Sequence, residues 1–235
     1  MTVKFEGQDR REATLKKVLN FVSMYLRKLG MMDTATAAKD LTSIIKAFRL
    51  ETSQATDVVS KLTMIDQSAA VSAGEVATAM QNLSTTAQQA GLDIDTTMAY
   101  VSTVADITQK DASSIGAALR TIMSRYGNVK AGAFTSMGTG ETGDELENIN
   151  DIEKVLRKVG ISIRTNTMEF KKIDEVLNEL GDKWTTYTSV EKNAIATAFA
   201  GTRQRESFLV LLSNMTKANK LRDIAASSGG AAEAK

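Results

Sequence analysis

The 235-residue chain carries 29 Lys+Arg against 28 Asp+Glu, a formal net charge of +1, and contains no His, no Cys and no Pro. The missing imidazoles and thiols exclude His general bases, thiolate nucleophiles, disulfides and His- or Cys-based zinc sites, leaving carboxylate, Lys or Ser chemistry and oxygen-ligand cations such as calcium or magnesium. A charge this close to zero supplies no bulk field for nucleic acid or an anionic membrane.

The absence of Pro removes the strongest breaker of helix interiors from a chain in which roughly a dozen would be expected. Ala, the best helix former, is abundant, and aromatic residues make up only 5%. The composition therefore leans all-α. No apolar run reaches the roughly 18 residues of a membrane span. The polar N-terminus lacks the basic start and apolar run of a secretory signal, so the expectation is a chain made and kept in a cytoplasm.

Residues 1–30 form the first expected unit. Leu15, Val18, Leu19, Val22, Leu26 and Leu29 recur at helical spacing, Lys16, Lys17, Arg27 and Lys28 fill much of the other side, and Gly30 reads as the stop. Such an amphipathic helix packs on neighbouring helices; its sharper alternative is membrane-surface binding.

Residues 31–126 read as an array of short antiparallel helical hairpins. Candidate N-caps are Asp33, Thr52, Ser72, Asp93 and Asp111, spaced 19, 20, 21 and 18 residues apart (52−33, 72−52, 93−72, 111−93). The clearest helix starts with the Ser72/Glu75 capping box, runs through Val76, Met80, Leu83, Ala87 and Ala90, and ends at Gly91. The next should face Met98, Val101 and Ala105 inward. The one after should bury Ile115, Ala118, Leu119, Ile122 and Met123 and end at Gly127.

Residues 127–150, with Gly132, Gly138, Gly140 and Gly143, are expected as the loop of the chain. Residues 151–216 return to helix: Ile152 to Val159 stopped by Gly160, a segment from about Lys172 closed by Gly181, and a helix from Ser189 to Phe199. Gly201 breaks that helix, and Thr202 caps another carrying Phe208, Leu211, Leu212 and Met215. Between them, 161–171 alternates at period two around Asn166-Thr167, which predicts one small β-hairpin. Residues 217–235 end in a Ser/Gly/Ala run and read as a flexible tail or linker.

Few constellations carry chemistry. Gly138-Thr-Gly140-Glu-Thr-Gly143 matches a dinucleotide pattern but follows no strand and has no phosphate-binding Lys after it, so it reads as loop. Asp93 and Asp95 fit a helix start better than a carboxylate pair. Arg120, Arg125 and Lys130 suit a helix C-terminus, and no aromatic ladder interleaves with them for base stacking. Glu206-Ser207 is the pair that looks enzymatic. Helical lytic transglycosylases use one Glu followed by Ser, but their accompanying cleft motifs are missing here, and Glu206 stands in the charged run Arg203-Gln-Arg205.

Ala198-Phe-Ala-Gly201-Thr-Arg-Gln204, followed by Phe208-Leu-Val-Leu-Leu-Ser-Asn214, resembles the core region of phage tail tape measure proteins. Asp40-Leu-Thr-Ser-Ile-Ile-Lys-Ala-Phe48, Ala117-Ala-Leu-Arg-Thr-Ile-Met-Ser-Arg125 and Phe170-Lys-Lys-Ile-Asp-Glu-Val-Leu-Asn-Glu-Leu180 match the same family in the same order. The resemblance covers roughly residues 33–214. Family members are usually much longer, and one continuous helix of this length would span only about 350 Å.

The resemblance implies a non-enzymatic assembly module that sits in the tail lumen of the virion, and in the host cytoplasm during assembly, and helps set tail length. It implies as partners the tail tube protein, tail tip or baseplate proteins, tail assembly chaperones and other copies of the chain, with no recognition of nucleic-acid sequence. It implies no cofactor, no metal and no catalytic residue. Gly201, Thr202, Arg203, Gln204 and Arg205 are the candidate assembly contact, carried over from the family motif; the plainer alternative is a local helix–turn–helix. The rival functions are a peptidoglycan lyase acting through Glu206 and a membrane-active DNA-delivery segment at the N-terminus.

Overall fold

Ser72 Oγ accepts the Glu75 amide proton at 3.2 Å while Glu75 Oε2 accepts the Ser72 amide proton at 2.9 Å, closing the capping box that the spacing predicts. The helix it starts ends at Gly91, which takes the left-handed conformation (φ +92°) open to glycine. Asp93 accepts from the Thr96 amide at 2.7 Å, and Asp111 from the Ser114 amide at 2.8 Å. That bond, with the Ser114 hydroxyl, holds the Asp111 carboxyl below its ordinary range. These caps come from a computed structural model describing residues 34–139, 151–165 and 169–228.

The described chain is all-α. The helices are α1 (Thr34–Ala47), α2 (Ala55–Ser68), α3 (Ala73–Ala90), α4 (Ile94–Thr108), α5 (Ala112–Thr139), α6 (Asp151–Lys158), α7 (Ile173–Lys183), α8 (Ser189–Ser213) and α9 (Met215–Ala226). The expected N-terminal helix, the Asp33 cap and the Asn166-Thr167 turn lie outside the described residues. Around that turn the expected hairpin reduces to one antiparallel bridge between Arg164 and Phe170, and no strand forms among the described residues.

Alternate helices pack more closely than successive ones. α3 lies against α1 on one side and α5 on the other, while α4 packs behind them against α9. This departs from a simple row of hairpins. Gly116 of α5 explains the closest approach: a Cβ there would stand 2.5 Å from the Ala79 carbonyl oxygen of α3. α4 is the central helix, with every residue from Thr96 to Ala105 buried. Its buried hydroxyls return to carbonyls one turn back: Thr97 to Asp93 at 2.6 Å, Ser102 to Met98 at 2.7 Å and Thr103 to Ala99 at 2.7 Å. That self-satisfaction lets polar side chains occupy a core.

Five expectations need correction. α2 begins at Ala55 after a 3-10 turn over Thr52–Gln54, so its N-cap is Gln54 and not Thr52. α5 runs through Gly127 to Thr139, which moves helix into the expected 127–150 loop. Gly127 lacks the positive φ of a terminator and, among the described residues, nothing stands within 4 Å of its Cβ position, so neither its backbone nor that packing stops the helix there; residues 140–150 lie outside the described chain. α7 passes through Gly181, where a Cβ would meet the Met215 side chain at 2.6 Å; the glycine makes room for α9 and does not end α7. Thr188, with Glu191, caps α8, and Ser189 is its first residue. Finally, 217–226 is no tail. α9 buries Ala218, Leu221 and Ala225 at helical spacing against α4 and α2, an apolar stripe hidden in a polar, Ala-rich stretch.

The segment after α6 is held by charge. Glu153, 6% exposed, accepts from Arg164 Nε at 3.0 Å and Nη2 at 2.9 Å, and pairs with Arg157 one turn away. Arg164's hydrogen bonds hold the Glu153 carboxyl below the usual glutamate range. The same guanidinium stacks 4.6 Å over the Phe170 ring.

Candidate functional site

Gly201 is where α8 departs from helical geometry, with φ +64° and ψ −176°. That region is essentially reserved for glycine. The break expected from the sequence is therefore real, and its residue is specified by conformation. A Cβ on Gly201 would also come 2.9 Å from Arg125 Nη2, the end of an exposed side chain that can move aside. Arg125 reaches across from α5 and donates from Nη1 to the Ala198 carbonyl at 3.3 Å, in the turn before the kink. The sequence reading placed Arg120, Arg125 and Lys130 at a helix C-terminus. α5 continues beyond them, so that dipole argument falls away and Arg125 acts instead on α8.

Stacked rings fix the kink from the inside. Phe199, before it, and Phe208, after it, stack at 4.9 Å between centroids. Tyr126 of α5 extends the file to Phe199 at 6.3 Å, and Trp184 meets Phe208 edge-on at 6.4 Å. The Tyr126 hydroxyl donates to the Lys171 carbonyl at 2.8 Å, and Trp184 Nε1 donates to Ser213 Oγ at 3.0 Å. These aromatics are far apart in the chain, so the file left no sequence signal beyond individual apolar positions. Offset aromatic pairs of this kind add about 0.5–1.5 kcal/mol each beyond area burial.

On the outside, the kink borders an open depression of about 550 Å³. Arg125, Asp151, Val155, Asn193, Thr197 and Thr202 are among the residues lining it. Of the five residues singled out from sequence, Thr202 and Arg203 are exposed, and Gly201, Gln204 and Arg205 are half-buried. The structure thus brings Gly201 and Thr202 to one depression, and starts the outer turn at Arg203 beside it.

Glu206 lies elsewhere. Its side chain is 65% exposed and pairs with Lys110 of the loop before α5 at 2.6 Å. A helical lyase would need its acid enclosed beside substrate-binding groups, whereas Glu206 stands at the surface paired with a cation. Asp93 and Asp95 separate in role as well: Asp93 caps α4, and Asp95 pairs with Lys61 at 2.8 Å. Among the described residues no three acidic side chains cluster to hold a metal, and no helix is long and apolar enough to cross a membrane.

The model of the family described as phage-related minor tail protein matches residues 12–201. The chain belongs to that family. No solved structure matches it. The matched span closes at Gly201 itself. The minor tail protein family therefore accounts for the chain up to the kink, while residues 202–228 continue the same helical body beyond it. Membership gives the chain a structural role in a phage tail and association with the virion and with other tail components.

Proposed function

We propose that this chain is an assembly module of a tape measure protein, contributing to tail assembly and tail length from inside the tail tube. Membership in the minor tail protein family supports the reading, as does the ordered resemblance of residues 33–214 to the tape measure core. The observation that carries it at the residue level is the Gly201 kink. Ring stacking holds a backbone conformation open only to glycine in place and leaves Thr202 and Arg203 at the surface. A bend that only glycine can make, fixed from inside and presented outside, is the feature a shape-dependent contact would use.

On this reading the module acts through contact surfaces. The turn at Gly201, Thr202, Arg203, Gln204 and Arg205 meets a tail tube, tip or baseplate protein, a tail assembly chaperone, or another copy of the chain. The location is the tail lumen after assembly in the host cytoplasm. No residue performs covalent chemistry in this scheme.

The test is Arg203→Ala in the complete protein of a live phage, with two measurements. The variant module keeps the wild-type melting curve, because Arg203 is exposed, and intact tails counted by electron microscopy fall. A folded variant with normal tail numbers rejects the contact and leaves the turn as architecture. Lysis of purified peptidoglycan by the wild-type protein, lost in Glu206→Gln, would instead establish the lyase reading.

A further inference from the structure

The geometry points to α9 as a releasable helix, able to swing away from α4 and α2 as a unit about Asn214 while the rest of the fold stays intact. Asn214 alone separates α8 from α9. Its backbone (φ −125°, ψ 26°) is not held in a helical or strained left-handed well. A rotation at this one residue would let 202–226 run on as a single helix of about 37 Å.

The two charged docking contacts of α9 can break without stranding a buried ion in the body. Lys61, buried on α2, donates to the Ala225 carbonyl at 3.0 Å in the last turn of α9. The same ammonium lies 2.8 Å from Asp95 of α4, so it keeps an anionic partner without α9. At the other end, Asp106 of α4 pairs with Lys217 in the first turn of α9. Asp106 also accepts the Ala70 amide proton at 2.6 Å, within the body. Each body-side charge therefore has a second partner. Release leaves no stranded buried ion, the usual reason such pairs cannot be opened.

The docked state also encloses a polar group poorly. Tyr100 is 2% exposed on α4, and its hydroxyl has no hydrogen-bond partner among the described residues. Burial raises its pKa, the Asp174 carboxylate of α7 raises it further, and the Arg222 guanidinium of α9 lowers it. Opening returns that hydroxyl to water and recovers part of its desolvation cost. Against this stand an apolar stripe of Met215, Ala218, Leu221 and Ala225 and the bond that Asn219 donates to Asn178 of α7 at 2.8 Å.

Hydrogen exchange with mass spectrometry on the full chain tests this. Amides of 215–226 should exchange about tenfold faster than those of 98–105, at a uniform rate that includes the first turn beside Asp106. A rate rising steadily toward residue 226 would be terminal fraying, and equal rates in the two segments would mean that α9 opens only with the core; either overturns the inference. Leu221→Ala should speed 215–226 by about a further tenfold and leave 98–105 unchanged, and equal acceleration of both would overturn it. Tyr100→Phe should slow exchange in 215–226; faster exchange there would show that docked α9 depends on the hydroxyl, and would count against release.

Discussion

Arg125 Nη2 lies 2.9 Å from where a Cβ on Gly201 would be, so the guanidinium of α5 rests against the kink of α8. The kink itself is set by a glycine-only backbone conformation, while the exposed guanidinium on its open face is free to step aside. Gly201→Ala should cost about 1–3 kcal/mol from backbone strain. For a domain of this size that is a fall in melting temperature of about 2–4 °C per kcal/mol. An unchanged thermal melt would show that the kink relaxes freely and carries no constraint.

Gly116 and Gly127 sit in the same helix and should respond with opposite sign. A Cβ on Gly116 meets the Ala79 carbonyl oxygen of α3 at 2.5 Å, a backbone atom that cannot step aside. Gly116→Ala should destabilise by about 1–3 kcal/mol despite its better helix propensity, because overpacking exceeds that gain. Gly127→Ala meets nothing within 4 Å among the described residues and should stabilise by about 0.5–1 kcal/mol. Urea denaturation of both variants gives the comparison, and two changes of the same sign would contradict the packing described for α3 and α5.

The Glu153–Arg164 pair should give stability a specific dependence on acid. The folded-state pKa of Glu153 is depressed by Arg164, so its contribution is complete above the ordinary glutamate value of 4.5 and disappears as pH falls through the lower folded value. Glu153→Gln should therefore melt below wild type at pH 7, and the gap should close as the pH is lowered toward 3. A gap that stays constant with pH would mean that Gln disrupts packing and that ionisation contributes nothing.

Leu211 is fully buried in α8, beyond the kink. Leu211→Asp places an unpaired carboxylate in that core and should cost several kcal/mol, enough to unfold the module. Circular dichroism would record loss of the cooperative melt, and a phage carrying the variant should make no intact tails. Wild-type helicity and melting in the variant would show that the part of α8 beyond the kink, 202–213, is not part of the cooperative core.

Local chemistry was legible from the chain. Ser72 with Glu75, Asp93, Asp111, Gly91, Gly160 and the Gly201 break each act through bonds or dihedrals within a few residues, so their signals lie in adjacent letters. The all-α class followed from the same short-range grammar of apolar spacing and missing Pro. What the letters could not settle was where a glycine serves as a stop and where it serves as space. Gly91 ends a helix, whereas Gly116 and Gly181 sit inside helices to admit Ala79 and Met215 from elsewhere, and Gly127 does neither. Nor could they show that α9 is core: its stripe of Ala218, Leu221 and Ala225 is too small to stand out until Lys61 and α4 supply the surface that buries it. The sequence by itself determined the all-α class, most of the helix starts and the family motif around Gly201. Tertiary structure alone decided that Arg125 rests against the kink, that Glu206 is a surface ion pair, and that residues 202–226 complete the fold. Those outcomes rest on contacts between residues tens of positions or more apart, whose energies depend on burial and distance and leave no periodic trace along the chain.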